Sequence, residues 1–224
     1  MGSLFKQQIS GRRDETKIIL SPEIYNRLFS FMCLSSYFSY FRGEYEEFGQ
    51  FIFGKKVKDG LFFYDQTTHP GNTESAGAYH CTNEDVEDTI TKLMTGKYDC
   101  IASFHTHPAD SESGRCFSWE DTEFYIHKTD IKKGCLFLGC MISQPVIGDW
   151  SDDEISFIRY DKKDQSFIYY PDIYVAQGAK LIPLKKQTDL MYIGKDNKPY
   201  NKITLKDNVE IDRVYTIERT TMSI

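Results

Sequence analysis

Tyr98-Asp99-Cys100-Ile101-Ala102-Ser103-Phe104-His105-Thr106-His107-Pro108, followed downstream by Ser118-Trp119-Glu120-Asp121, is the stretch on which fold and chemistry turn. Its apolar run reads as a largely buried strand ending at Pro108. Side chains alternate faces along a strand, so His105 and His107, two apart, can point the same way into one site. Ser118, with acidic residues close behind it, fits a helix N-cap with carboxylates in the first turn. Two neutral imidazoles and the Asp121 carboxylate form a three-ligand set for zinc that leaves a fourth position for water. That open position is what separates a catalytic zinc from a structural one. The plainer reading, two ordinary strand-end histidines and a cap serine, would suit a lone histidine better than this combination.

These residues resemble the motif of the JAMM (MPN+) zinc metalloproteases: a glutamate far upstream, then His-x-His-Pro, a loop, and Ser-x-x-Asp. The resemblance implies that His105, His107 and Asp121 are metal ligands, that Ser118 stabilises the oxyanion, and that an upstream glutamate is the general base. Residues 108 to 120 separate His107 from Asp121, a longer span than the family usually has, so the loop from Asp110 to Phe117 carries an insertion. The family places its glutamate at the start of a strand, three residues before a glycine. Glu46 meets that rule with Gly49 in Glu46-Glu47-Phe48-Gly49-Gln50-Phe51-Ile52-Phe53-Gly54. Glu47 is the alternative, because a slip of one residue moves a strand side chain to the opposite face. Glu44 lies closer to the Arg42-Gly43 turn and fits less well. Without the downstream motif, the three glutamates would read as a solvated acidic cluster.

The segments around the motif are similar to this family across roughly Lys17 to Ser143. Lys17-Ile18-Ile19-Leu20 reads as a short strand, and Ser21-Pro22-Glu23 opens a helix with proline at the first helical position. Ile24, Leu28, Phe31, Met32 and Ser35 keep a three-four spacing, which predicts one face packed on a sheet. Leu61-Phe62-Phe63-Tyr64 is a hairpin partner for the Glu46 strand across the turn from Lys55 to Gly60. Thr82-Asn83-Glu84-Asp85 opens a second helix through Leu93, closed by Gly96. The Ser118 helix runs to about Thr129, and Cys135 to Ile142 is a further buried strand. This order predicts an α/β fold, an MPN (JAMM)-type mixed β-sheet flanked by helices, with the metal at a strand end. The expected division is an N-terminal tail over 1–16, a catalytic domain over 17–150 and a β-rich C-terminal extension over 151–224.

In that extension, Ile155 to Tyr160 and Gln165 to Tyr170 flank Asp161-Lys162-Lys163-Asp164 and read as a hairpin. Leu181 to Leu184 and Leu190 to Ile193 read as short strands. The region either extends the sheet or forms a substrate-recognition appendage. Its tyrosines, Tyr160, Tyr169, Tyr170 and Tyr174, are read as packing residues rather than contacts.

Composition narrows the classes. A chain of 224 residues is long enough for a sizeable core, and aromatics at 15% argue against global disorder. A net charge of −6 without a basic run interleaved with aromatics argues against nucleic acid as a partner. No apolar stretch reaches the length of a membrane span, and Met1 to Ser10 lacks the apolar core of a signal peptide. Lys6 stands where a myristoylation signal at Gly2 wants serine or threonine.

The six cysteines, Cys33, Cys81, Cys100, Cys116, Cys135 and Cys140, form no Cys-x-x-Cys pair and lie mostly in apolar runs. That pattern suits reduced, buried thiols and a cytoplasmic setting, which includes the host cytosol reached by a secreted bacterial effector. Cys116 with His80, Cys81 or His127 is a candidate second metal site, against the plainer reading of a loop thiol and scattered histidines. A cysteine-protease pair built on Cys116 is weaker, since nothing marks it as an activated thiolate.

Three functional expectations follow. The resemblance implies a zinc-dependent isopeptidase (deubiquitinase-like) that hydrolyses isopeptide or peptide bonds at the C-terminus of ubiquitin or a ubiquitin-like protein, with Zn2+ as cofactor. A second reading keeps the site chemistry on another peptide or amide. A third is a binding module of the same fold without turnover, which the intact ligand set disfavours.

Overall fold

The computed structural model describes residues 11–37, 47–67, 71–72, 83–108, 116–144, 154–184, 189–193 and 199–204. In chain order the elements are β1 (Gly11–Arg13), β2 (Lys17–Leu20), α1 (Pro22–Tyr37), β3 (Phe48–Val57), β4 (Gly60–Gln66), β5 (Gly71–Asn72) and α2 (Asn83–Met94). Then come β6 (Cys100–Pro108), β7 (Cys116–Phe117), α3 (Trp119–Lys128), β8 (Leu136–Gln144), β9 (Glu154–Asp161) and β10 (Ser166–Tyr169). The last are β11 (Ile173–Gln177), β12 (Lys180–Pro183), β13 (Asp189–Ile193) and β14 (Pro199–Thr204).

Local chemistry accounts for the elements that hold the site. The β2 residues Ile18, Ile19 and Leu20 are buried, as expected of β-branched and aliphatic side chains on a pleated surface. Ser21 then caps α1, its Oγ accepting from the Ile24 N–H at 3.2 Å. The three-four stripe of α1 is buried through Ile24, Leu28, Phe31, Met32 and Ser35. Gly96, at φ 72°, ends α2 in the left-handed region that favours glycine.

The main sheet has eleven strands in the order β1-β10-β9-β8-β6-β3-β4-β2-β11-β12, with β5 paired to β3. Its pairing is mixed: β6 runs parallel to β8 and antiparallel to β3. Residues 170–172 alone connect β10 to β11, and an extended chain of that length reaches only about 14 Å. Across a flat sheet the seven strand steps between β10 and β11 would span about 34 Å. The sheet therefore curls until its two ends approach each other. Phe63 of β4 and Phe157 of β9 meet across the hollow, with ring centroids 5.7 Å apart.

Helix α1 fills that hollow, and its buried stripe joins Phe104, Leu138, Phe157, Ile168 and Val175 in one core. Helices α2 and α3 lie on the opposite face, where Leu93 and Tyr125 share a second core with Phe53, Ile101, Phe137 and Phe167. A smaller sheet, β14-β13-β7, is separate.

The expected α/β class, an MPN-type sheet flanked by helices, is corrected by this architecture. The protein is mostly β, a curled half-barrel with three helices against fourteen strands among the described residues. The longer strands and the helices from β2 to β8 follow the order of the sequence reading, whereas the short strands β1, β5 and β7 were not expected, and β1 lies within the expected N-terminal tail. What changes the class is the use made of residues 154–184: β9 and β10 lengthen one end of the sheet, while β11 and β12 lengthen the other. Their apolar side chains close the hollow in places where a flanking-helix fold would use helices. These strands are thus an extension of the sheet, and Tyr160, Tyr169 and Tyr170 are buried within it. Tyr174 is half-buried, with the Lys17 ammonium 5.6 Å from its ring.

Candidate metal centre

Strand β6 places the two histidines. Cys100, Ala102 and Phe104 face the hollow with α1, whereas Ile101 faces the α2–α3 side. Alternation puts His105 and His107 on the Ile101 side, beneath the start of α3. Both are buried, at 2% and 8% exposure. Between them Thr106 points the other way, and its Oγ1 accepts from the Phe48 N–H at 2.9 Å. That bond pins the start of β3 to β6 and brings Glu47 alongside: its Oε1 is 3.8 Å from His107 Nε2.

Helix α3 supplies the carboxylate. Ser118 is its N-cap, and Asp121, at the third helical position, completes a capping box. The Ser118 N–H donates to Asp121 Oδ2 at 2.7 Å, and the Asp121 N–H donates to Ser118 Oγ at 3.1 Å. The reciprocal pair fixes the aspartate rotamer with its Oδ1 turned toward His105. Positive charge density at the helix N-terminus favours the ionised carboxylate there.

Three side chains converge. His105 Nε2 lies 2.8 Å from His107 Nε2 and 3.2 Å from Asp121 Oδ1, and His107 Nε2 lies 3.6 Å from Asp121 Oδ2. Each residue offers a ligand atom within 4.8 Å of the others. A tetrahedral zinc with metal–ligand bonds of 2.0–2.2 Å holds donor atoms about 3.4 Å apart. The three separations bracket that value, and the donor set is one that zinc prefers, so the residues fit the ion.

Electrostatics agree with a cation site. Burial would lower the His105 pKa, but the charge and hydrogen bond of Asp121, with Glu47 beyond, outweigh it and shift it upward. Burial would raise the Asp121 carboxyl, but His105, and then His107, holds it well below the usual carboxylate range. Two buried imidazoles beside a half-buried carboxylate want a positive charge between them, from a proton or from a metal ion.

Glu46, the base expected from the resemblance, and Glu44 lie outside the described residues, as do His80 and Cys81 of the candidate second metal site. His127 is exposed in the last turn of α3. Cys33 is half-buried, while Cys100, Cys135 and Cys140 are buried free thiols whose pKa values burial pushes upward.

Three neighbours of the site went unread in the sequence. Tyr125, at 2% exposure, places its hydroxyl 3.4 Å from His105 Nδ1. Its position four residues after Asp121, hence on the same helix face, was an available signal. Phe117 packs edge-on against both the His105 and Tyr125 rings. The long loop ends in β7, whose Cys116 and Phe117 pair in parallel with Met191 and Tyr192 of β13. This contact between distant segments had no local signal.

The chain matches no protein-family model and no curated protein.

Proposed function

We propose that the protein is a zinc-dependent hydrolase of peptide or isopeptide bonds, with His105, His107 and Asp121 as metal ligands. The observation that carries this reading is the convergence of three donors within 4.8 Å, two buried imidazoles and a half-buried carboxylate, flanked by a carboxylate and a hydroxyl suited to proton transfer and oxyanion binding. Zinc held there supplies Lewis acidity, activating water as a nucleophile and polarising the scissile carbonyl.

The remaining work falls to the chain. Glu47, 3.8 Å from His107 Nε2, takes the proton from the attacking water on its carboxylate and returns it to the leaving nitrogen. Ser118 Oγ already accepts from the Asp121 N–H, so its own hydrogen is available for the carbonyl oxygen as negative charge develops. The capping box holds Asp121 in place through this cycle, and burial of both imidazoles keeps bulk water from competing with the polar contacts.

The motif's resemblance to the JAMM proteases directs the choice of substrate to ubiquitin and ubiquitin-like conjugates. The test is cleavage of a panel of linkage-defined ubiquitin dimers by zinc-loaded protein, with chelated protein and Glu47→Gln as controls. Chelator-sensitive cleavage lost in the variant supports the reading together with its substrate. Zinc-loaded protein that leaves every dimer intact but hydrolyses a peptide library shifts the substrate to another peptide class. No hydrolysis of either overturns the reading.

A further inference from the structure

We infer that Tyr125 is a positioning residue for the metal centre, the outer hydrogen-bond partner that holds the His105 ring when its Nε2 binds a cation. The inference rests on the proposed zinc site. It concerns a side chain outside the ligand set, and Tyr125 reaches His105 from the side away from the cluster. His105 Nε2 faces His107 and Asp121, while Nδ1 faces the Tyr125 hydroxyl at 3.4 Å.

The ring has two neutral forms. In one, Nε2 carries the hydrogen, which His107 Nε2 at 2.8 Å can accept; that form has no lone pair for a metal. In the other, Nδ1 carries the hydrogen and Nε2 is a ligand. The Tyr125 hydroxyl can donate to a bare Nδ1 or accept from Nδ1–H; once a cation takes the Nε2 lone pair, the hydrogen sits on Nδ1 and the phenolic oxygen is the acceptor that it needs. Nearly all metal-binding histidines have such a partner on the second nitrogen, and losing it commonly weakens binding 10–100-fold.

The fold holds Tyr125 in place for this task. Its ring is wedged against β8 at Gly139, where a Cβ atom would lie 2.3 Å from Tyr125 Cε2. Phe117 closes over it edge-on, with centroids 5.8 Å apart. Any side chain at Gly139 would displace the ring, so that glycine is explained by the tyrosine. The hydroxyl is separated from the catalytic side of the cluster by the imidazole itself, which excludes a direct role on substrate.

The test uses the full chain and Tyr125→Phe, which keeps the ring and removes one oxygen. Zinc affinity is measured by competition with a chromophoric chelator, and the His105 Nδ1–H signal is followed by NMR in the zinc-loaded protein. The expected result is zinc binding weakened about tenfold and an upfield shift of that signal, in a variant that still folds cooperatively without metal. Gly139→Ala, which must push the ring aside, is the second variant and should weaken zinc binding in the same direction. Unchanged affinity and signal in Tyr125→Phe, with wild type still binding zinc, overturn the inference and leave the zinc site standing. A wild-type protein that takes up no zinc overturns both.

Discussion

His105 Nε2 stands 3.2 Å from Asp121 Oδ1, and this contact joins the central strand β6 to the first turn of α3. His105 is buried and Asp121 half-buried, so their charge state is coupled to folding and to any cation between them. Its first consequence concerns pH. The His105 pKa is raised above its ordinary 6.5 in the folded state. Its contribution to stability is therefore fully present below pH 6.5 and is lost as pH rises through the folded value. Asp121 is depressed below 3.8, so its contribution is present above that value and lost as pH falls further. Metal-free protein should thus melt highest between these limits and lose stability above pH 6.5, whereas zinc replaces the lost proton. Thermal melts across pH with and without zinc check this: the increment due to zinc should grow as pH rises. An increment that shrinks over that range would contradict it.

Asp121→Asn removes the charge while keeping most of the shape. Zinc affinity should fall at least tenfold, since losing even an outer partner of a ligand reaches that size. Chelator competition measures it; unchanged affinity would remove Asp121 from the ligand set.

Ser118→Ala separates two roles of one residue. Loss of the N-cap should cost about 1 kcal/mol in denaturant unfolding, and loss of the oxyanion donor should lower kcat by about 10²–10³-fold, with zinc content retained. A stability loss with kcat intact would leave Ser118 as a cap only.

Glu47→Gln should keep zinc and lose turnover, and Glu46→Gln should keep both. The reverse pattern would return the base to Glu46, the residue chosen by spacing to Gly49. Sequence alone could not decide between neighbours, because strand faces alternate and everything depends on where β3 begins. The bond from the Phe48 N–H to Thr106 Oγ1 is what places Glu47 beside His107.

The same contrast between local and distant information runs through the molecule. Ser118 and Asp121 declare a helix start in four residues, and His105 and His107 declare a shared face in three, so α3 and the convergence of the three side chains were legible. The Ile24-to-Ser35 stripe likewise foretold the buried face of α1. The curl was not legible. It depends on Ile173 to Val175 pairing with Ile18 to Leu20, and on Gly11 to Arg13 pairing with Phe167 to Tyr169. These are short strands joined across most of the chain, with no periodicity that names a partner. The half-barrel, and with it the mostly β class, was therefore missed.

Phe157→Ala tests the curl. The ring sits in the hollow against Phe63 and is 1% exposed. Its removal should cost about 3–5 kcal/mol in denaturant unfolding. A loss below 1 kcal/mol would mean that β9 does not close over β4.

The most direct measurement is the zinc content of purified wild-type protein and of His105→Ala, by elemental analysis after dialysis against zinc-buffered solution. A single zinc per wild-type chain and none in the variant is the expected result. Zinc absent from the wild type, or retained in full by the variant, would contradict the assignment of His105, His107 and Asp121 as the metal centre.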